Sequence, residues 1–190
     1  KTRTLQTTGI TQKIFQGDFH VGIAAAGYIP DARIQVDNAR FFSQGNRMTY
    51  DESVEIGTVA KYLADQSHQF TQYSGVRPNG VALIIAGIDQ KGESIYVTDP
   101  SGTYVQYAAV AIGAGSEDVN DFLEKHYNPD MSIDDASSLA IAAINLKDKQ
   151  KDGVDDIKMA KITTETKVFE KVSESDLKNY SQNASKFGTE

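Results

Sequence analysis

Glycine, carboxylate and histidine patterns are the places where this 190-residue chain could do chemistry. Gly113-Ala114-Gly115 stands between a strand-like and a helix-like run, where a dinucleotide loop would gather backbone amides around a pyrophosphate. The third glycine of such a loop should fall at Asp118, and a carboxylate there repels phosphate, so the run reads as a strand-to-helix turn. Asp148, Asp152 and Gly153 imitate a calcium loop, but Gln150 takes a ligand position and Met159 stands where the bidentate Glu belongs. A solvated acidic loop is the simpler reading. His20, His68 and His126 fall on a strand and two helices with no pair at metal-ligand spacing, which suits packing or surface roles. Cys is absent, which removes thiol catalysis, disulfides and Cys-ligated metals together. No Gly-x-Ser-x-Gly offers a serine nucleophile. Asp134-Asp135 and Asp155-Asp156 read as helix-start and loop charges rather than acid/base pairs. No cofactor and no metal are expected.

The elements that carry these residues follow from hydrophobic spacing. Ile14 and Phe15 end a short apolar run, Gly17-Asp18 supplies turn chemistry, and Phe19 to Ala26 is apolar on both faces, which predicts a buried strand. Pro30 opens a helix through Val36, Ala39 and Phe42, expected to break at Gly45-Asn46. A second helix near Ser53 carries Val59, Leu63, Gln66 and Phe70 on one stripe and stops at Gly75. Strands are expected at Val81 to Ile88, Ser94 to Thr98 and Tyr104 to Ala114, joined by the turns Asp89-Gln90-Lys91-Gly92 and Asp99-Pro100-Ser101-Gly102. Ser116 is the expected N-cap of a helix over Val119, Phe122 and Leu123, and Ser132 that of a helix through Leu139, Ala143 and Leu146. A charged loop, Lys147 to Asp156, leads to a final strand pair, Ile157 to Ile162 and Lys167 to Val172. Ser173 caps a last helix toward Tyr180. Grouped strands with paired helices predict an α+β fold, a largely antiparallel sandwich between helix layers. Residues 1–180 form one expected domain and 181–190 an expected frayed tail.

Composition narrows the partners. Nineteen Lys and Arg against 26 Asp and Glu give a net charge of −7, which argues against nucleic acid as the main partner. The longest apolar stretches, His20 to Ala26 and Val81 to Ile88, are far shorter than the roughly 20 residues of a membrane helix, and Lys1 to Gly9 has no apolar leader. No membrane partner is expected.

One constellation is specific because it is long. Ala24 to Arg33 (Ala-Ala-Ala-Gly-Tyr-Ile-Pro-Asp-Ala-Arg), Phe70 to Asp89 with Arg77-Pro78-Asn79-Gly80 inside it, Asp99-Pro100-Ser101-Gly102, and Ala111-Ile112-Gly113-Ala114-Gly115 occur in order, with Arg47-Met48-Thr49-Tyr50 between the first two. Together they resemble the α-type subunits of the 20S proteasome, most like archaeal ones, from Lys13 to about Tyr180. The resemblance implies a four-layer αββα sandwich, the N-terminal-nucleophile hydrolase architecture. It also implies that a gating segment, a helix and two strands precede the point matching Lys1, so the chain is expected to be a form truncated at the N-terminus.

In that family β-type subunits are threonine proteases, whereas α-type subunits form a non-catalytic ring that scaffolds the β ring, gates entry and docks activators. Thr7-Thr8-Gly9 imitates a mature protease start, which leaves a catalytic subunit of the same fold as the alternative. Counted from Thr7, however, Ile23 and Ala39 hold the positions of the family's catalytic Asp and Lys. By the same resemblance Lys13 pairs with the C-terminal carboxylate of an activator such as a regulatory ATPase. Gly27 lies at that pocket wall, and Tyr28 stands where Leu is more common. Arg77, Pro78 and Gly80 are expected to shape the turn into the Val81 strand, with Asn79 replacing an aromatic. Other α subunits, β subunits and an activator are the implied partners, in a cytoplasmic heptameric ring.

Overall fold

Val21, Ile23 and Ala25 alternate with Gly22, Ala24 and Ala26, a period of two that gives a strand two different faces. In the computed structural model, which describes residues 12–146 and 157–188, those faces separate the inner layers. Strands β1 (Ile14–Asp18), β2 (Val21–Gly27), β3 (Val81–Asp89), β4 (Gly92–Thr98) and β5 (Tyr104–Tyr107) form one antiparallel sheet in sequence order. The register sets Ile23 opposite Ile85 and Ala25 opposite Leu83, so Val21, Ile23, Ala25, Val81, Leu83 and Ile85 share one face. Helices α1 (Ile29–Tyr50) and α2 (Ile56–Gln72) cover that face with Ala32, Val36, Ala39, Val59, Ala60 and Leu63, all buried. Each fully buried branched side chain there stabilises the fold by about 1.5–3 kcal/mol, which makes this the main core.

The opposite face carries Gly22, Ala24, Ile84, Ala86 and Ile95 and meets the second sheet, β6 (Ala160–Ile162) with β7 (Phe169–Lys171). The Phe169 amide donates to the Phe19 carbonyl at 2.7 Å, and its ring occupies the space that a Cβ on Gly22 would need. Outside lie α3 (Ser116–His126), α4 (Ile133–Asn145) and α5 (Glu174–Ala184). Phe122, Leu139 and Ala143 join α3 to α4, while Ile141, Leu177, Tyr180 and Ala184 join α4 to α5. The layers are helices, sheet, sheet, helices: an α+β, αββα sandwich.

Several boundaries differ from those expected. Gly45-Asn46 does not break α1, which continues to Tyr50 because its last turn is tied down. The Thr49 hydroxyl donates to the Gly45 carbonyl at 2.8 Å, the Asn46 amide to the Glu52 carbonyl at 3.1 Å, and Arg47 pairs with Asp18 of β1. Asp51, in the left-handed region at φ 55°, closes the helix. Gly115, not Ser116, is the N-cap of α3, since its φ of 75° suits a residue without Cβ. The strand begun at Tyr104 leaves its ladder after Tyr107, and the last strand pair is shorter than expected. Ser132 and Ser173 cap α4 and α5, accepting from the Asp135 and Asp176 amides. Helix α5 runs past Tyr180 to Ala184, and Phe187 of the following 3-10 turn packs against the α3–α4 cluster. The charged loop expected from Lys147 to Asp156 lies outside the described residues.

Candidate functional site

The resemblance drew attention to two short stretches, and the fold brings them to one corner. Lys13 immediately precedes β1; its carbonyl accepts the Ala25 amide at 2.9 Å, and its side chain is exposed. Across the ladder β2 ends at Gly27, whose φ of 122° no ordinary side chain tolerates. A Cβ there would collide with the Gly80 carbonyl oxygen. The absence of a side chain lets the next amide, that of Tyr28, donate to the same oxygen at 2.7 Å. Lys13 and Gly27 both line an apolar cavity of about 1020 Å³ walled by Ala24, Ala26, Ile84, Leu139 and Ala143. Tyr28 is not in that wall.

Tyr28 is instead the N-cap residue of α1, 55% exposed, with the Arg77 guanidinium carbon 5.1 Å from its ring centroid. Arg77 is held there by Asp31, in the first turn of α1. Its two terminal nitrogens donate to the two carboxylate oxygens at 2.6 and 2.8 Å, and one also donates to the Pro78 carbonyl at 3.0 Å. Asp31 further accepts the Gly80 amide at 2.8 Å. The Arg77 hydrogen bonds hold the Asp31 carboxyl below its usual pKa; burial opposes them and the Gly80 amide reinforces them. Arg77, Pro78 and Gly80 thus form a turn fastened to α1. Asn79, in place of an aromatic, reaches inward and donates to the Ser67 hydroxyl of α2 at 3.1 Å.

The family described as "Proteasome subunit" matches residues 2–162. The chain is similar to the proteasome subunit alpha of Archaeoglobus fulgidus, 40% identical over 173 residues, covering 91% of this chain and 70% of the relative. It is likewise 40% identical over 184 residues to that of a Saccharolobus islandicus strain, covering 96% of this chain and 76% of the relative. To the subunit alpha of Methanoregula boonei it is 37% identical over 179 residues, or 94% and 74% of the two chains. The chain belongs to the proteasome subunit family.

Within that family it is an archaeal-like α-type sequence. Ile23 and Ala39, which take the acid and lysine positions on a count from Thr7, are each 1% exposed and packed in the core between β2 and α1. An ionised group at either position would be buried among hydrocarbon. Thr7-Thr8-Gly9 lies outside the described residues. Ser101, Asp99 and His68 meet, but as a turn: the Ser101 hydroxyl donates to Asp99 at 2.5 Å, and the imidazole lies 3.4 Å from the Ser101 carbonyl, not its hydroxyl. Burial pushes the Asp99 carboxyl up, yet hydrogen bonds from Ser101, Thr103 and Gly102 hold it below its ordinary value.

The histidines are also structural. The His20 ring is buried with Nε2 2.8 Å from the Val54 carbonyl, and His126 lies against Phe122 with Nδ1 2.9 Å from its carbonyl. Among the described residues no three His, Asp or Glu gather as metal ligands, and no helix is long and apolar enough to cross a membrane. Asp134 accepts from the Tyr180 hydroxyl at 2.9 Å, and the Asp135 amide is capped by Ser132. Asp148, Asp152, Gly153, Asp155 and Asp156 lie outside the described residues. Gly113 and Gly115, at φ 100° and 75°, make a turn into α3, but the strand expected to lead into it ends at Tyr107.

Two features escaped the sequence reading. Asp31 sat inside a quoted motif, but its partners are 46 and 49 residues away and no local pattern links them. Ile34, Phe41 and Met48 are 61%, 79% and 88% exposed and repeat at intervals of seven, so they form an apolar stripe on the outer side of α1. Their absence from the buried helical face was the available signal.

Proposed function

We propose that the chain is a non-catalytic ring subunit of the proteasome core particle, which scaffolds β subunits, controls substrate entry to the chamber and docks activators in cytoplasmic protein degradation. The observation that carries this reading is the likeness to archaeal α-type subunits along nearly the whole chain; on a count from Thr7 the acid and lysine positions hold Ile23 and Ala39, both buried in the apolar core. The exposed Ile34, Phe41 and Met48 stripe supports it, because an apolar stripe of this extent on the outer layer suits a subunit that is covered by neighbours.

Activator docking rests on Lys13. A cation at the rim of an apolar cavity beside the backbone wall of Gly27 suits a terminal carboxylate, and a hydrogen bond to such a charged group contributes about 1.5–3 kcal/mol. Other α subunits, β subunits and a regulatory ATPase or comparable activator are the partners.

The test is direct. The purified chain is incubated with fluorogenic peptides and a threonine-reactive epoxyketone, alone and after assembly with active β subunits. Hydrolysis is expected only in the assembly, with the label on the β subunits. Covalent labelling of Thr7 would overturn the reading in favour of the catalytic alternative.

A further inference from the structure

Asn79 is the only asparagine in the chain followed by glycine, the neighbour that leaves its backbone nitrogen least shielded because it carries no Cβ. The pair lies in the turn before β3, with Asn79 half-buried and Gly80 exposed, so water reaches it. Asparagine is a thermolabile residue, and its loss begins when the next backbone nitrogen attacks the carbonyl carbon of the asparagine side chain. In this fold both reacting groups are engaged. The Gly80 amide donates to the Asp31 carboxylate at 2.8 Å, and Asn79 Nδ2 donates to the Ser67 hydroxyl at 3.1 Å. The Gly80 carbonyl is pinned as well, by the Tyr28 amide at 2.7 Å. Asp31 is itself gripped by the two terminal nitrogens of Arg77 and its side chain is 10% exposed, so it does not swing away freely.

We propose that Asn79 is a modification site, converted through a succinimide to aspartate and isoaspartate, and that Asp31 gates the conversion by holding the Gly80 amide. The Gly80 nitrogen gives its proton to a base in solvent and attacks Cγ of Asn79. The new N–C bond closes the ring, the Cγ–Nδ2 bond breaks, and Nδ2 leaves as ammonia after taking up a proton. Water then opens the ring: addition at Cγ restores the backbone with an aspartate, and addition at the main-chain carbonyl leaves the chain running through Cγ as isoaspartate. Nothing is oxidised or reduced. While Asp31 accepts the Gly80 N–H, the proton that must leave is occupied and the nitrogen anion that forms faces a carboxylate, two reasons for the closed corner to be unreactive. Isoaspartate also lengthens the backbone by one carbon just before Gly80, which displaces the Gly80 amide from Asp31, so the modification removes its own gate.

In the experiment the full chain is held near neutral pH, well below its melting temperature, and sampled over time. A synthetic peptide of Gly75 to Leu83 under the same conditions is the ungated reference. Samples are digested with pepsin in acid, and mass spectrometry reads the exchange of the Asn79 side-chain amide for an acid, with electron-transfer fragmentation distinguishing isoaspartate from aspartate. Wild type is compared with Asp31→Ala, which removes the acceptor, and with Ile141→Ala, which weakens the separate α4–α5 cluster and leaves the corner intact.

The folded wild-type chain should lose the Asn79 amide about tenfold or more slowly than the peptide, the factor by which one charge-assisted hydrogen bond suppresses the open form. Asp31→Ala should bring the rate back toward that of the peptide, with isoaspartate among the products, whereas Ile141→Ala should stay near wild type. A wild-type rate equal to that of the peptide overturns the proposal, and so does an Asp31→Ala rate equal to wild type. If Ile141→Ala accelerates the loss as much as Asp31→Ala does, global unfolding exposes the site and the gate assigned to Asp31 is wrong. Should Asp31→Ala fail to fold, Arg77→Met decides in its place, because it frees the Asp31 carboxylate: a faster loss than wild type supports the gate, and an unchanged one overturns it.

Discussion

Gly27→Ala tests the corner at its tightest point. Two costs add there. The backbone stands at φ 122°, a conformation that costs a non-glycine residue about 1–3 kcal/mol. The new methyl also meets the Gly80 carbonyl oxygen and lies 3.1 Å from the Val81 Cα, both backbone atoms that cannot rotate aside. Relief requires the strand ends to separate, which stretches the 2.7 Å Tyr28 to Gly80 hydrogen bond, worth about 1 kcal/mol net. The sum is about 2–4 kcal/mol, or on the order of 10 °C in melting temperature for a chain of this size. Gly75→Ala is the internal control, since Gly75 has φ 85° but nothing within 4 Å of its would-be Cβ, so it bears the conformational cost alone. Urea unfolding of both variants beside wild type should show Gly27→Ala losing at least about 1 kcal/mol more than Gly75→Ala, the value of the strained hydrogen bond. Equal losses would refute the argument that Gly27 is needed for the close approach to Gly80.

Gly45→Ala should act in the opposite sense: Gly45 lies inside α1 with nothing within 4 Å, so alanine removes a flexible residue from a helix and should stabilise by up to about 1 kcal/mol, seen as a higher urea midpoint with unchanged slope. Asp31 sets a pH dependence. Its folded-state pKa is depressed, chiefly by Arg77, so its stabilisation is present above the unfolded carboxylate value near 3.9 and is lost as pH falls through the lower folded value. The stability gap between wild type and Asp31→Asn should therefore hold constant from about pH 7 to 5 and narrow below about pH 4; a gap that does not narrow would remove the ion pair from the account.

What could be read from sequence follows the range of the forces involved. Ser132 and Ser173 were legible as caps because each hydroxyl bonds an amide three residues on. The continuous apolar runs of β2 and β3 were legible because a sheet with helices on one side and a second sheet on the other must bury both faces. The end of α1 was not, since Gly45-Asn46 carries a local breaking signal that is overridden by Asp18 of β1 and by the left-handed Asp51. The end of β5 was misjudged for the converse reason: Tyr104 to Ala114 has strand propensity throughout, but the ladder with β4 needs a partner residue at each step and the register finds four. Propensity proposes an element and pairing sets its length.

The same distinction governs the site. Gly27, Tyr28 and Arg77-Pro78-Asn79-Gly80 could be singled out as stretches, but their common anchor, Asp31, could not, because its bonds span 46 and 49 residues and exist only once β2 and β3 are in register. That dependence has a physical consequence for how the corner is held. The Gly27 wall is fixed by the register of β2 with β3 and by the seating of α1, whereas Lys13 is carried by the start of β1, so the two halves of the corner belong to different pairs of strands. They are joined by the 2.9 Å bond from the Ala25 amide to the Lys13 carbonyl. The β1–β2 hairpin and the base of α1 thus meet at this corner, and they meet again where Asp18 of β1 pairs with Arg47 near the end of the helix. Hairpin and helix are therefore tied at both ends, and the buried face of α1 from Ala32 to Ser43 packs between the two ties, which is why Gly27→Ala and a loss of the Asp18–Arg47 pair are expected to disturb the same packed layer.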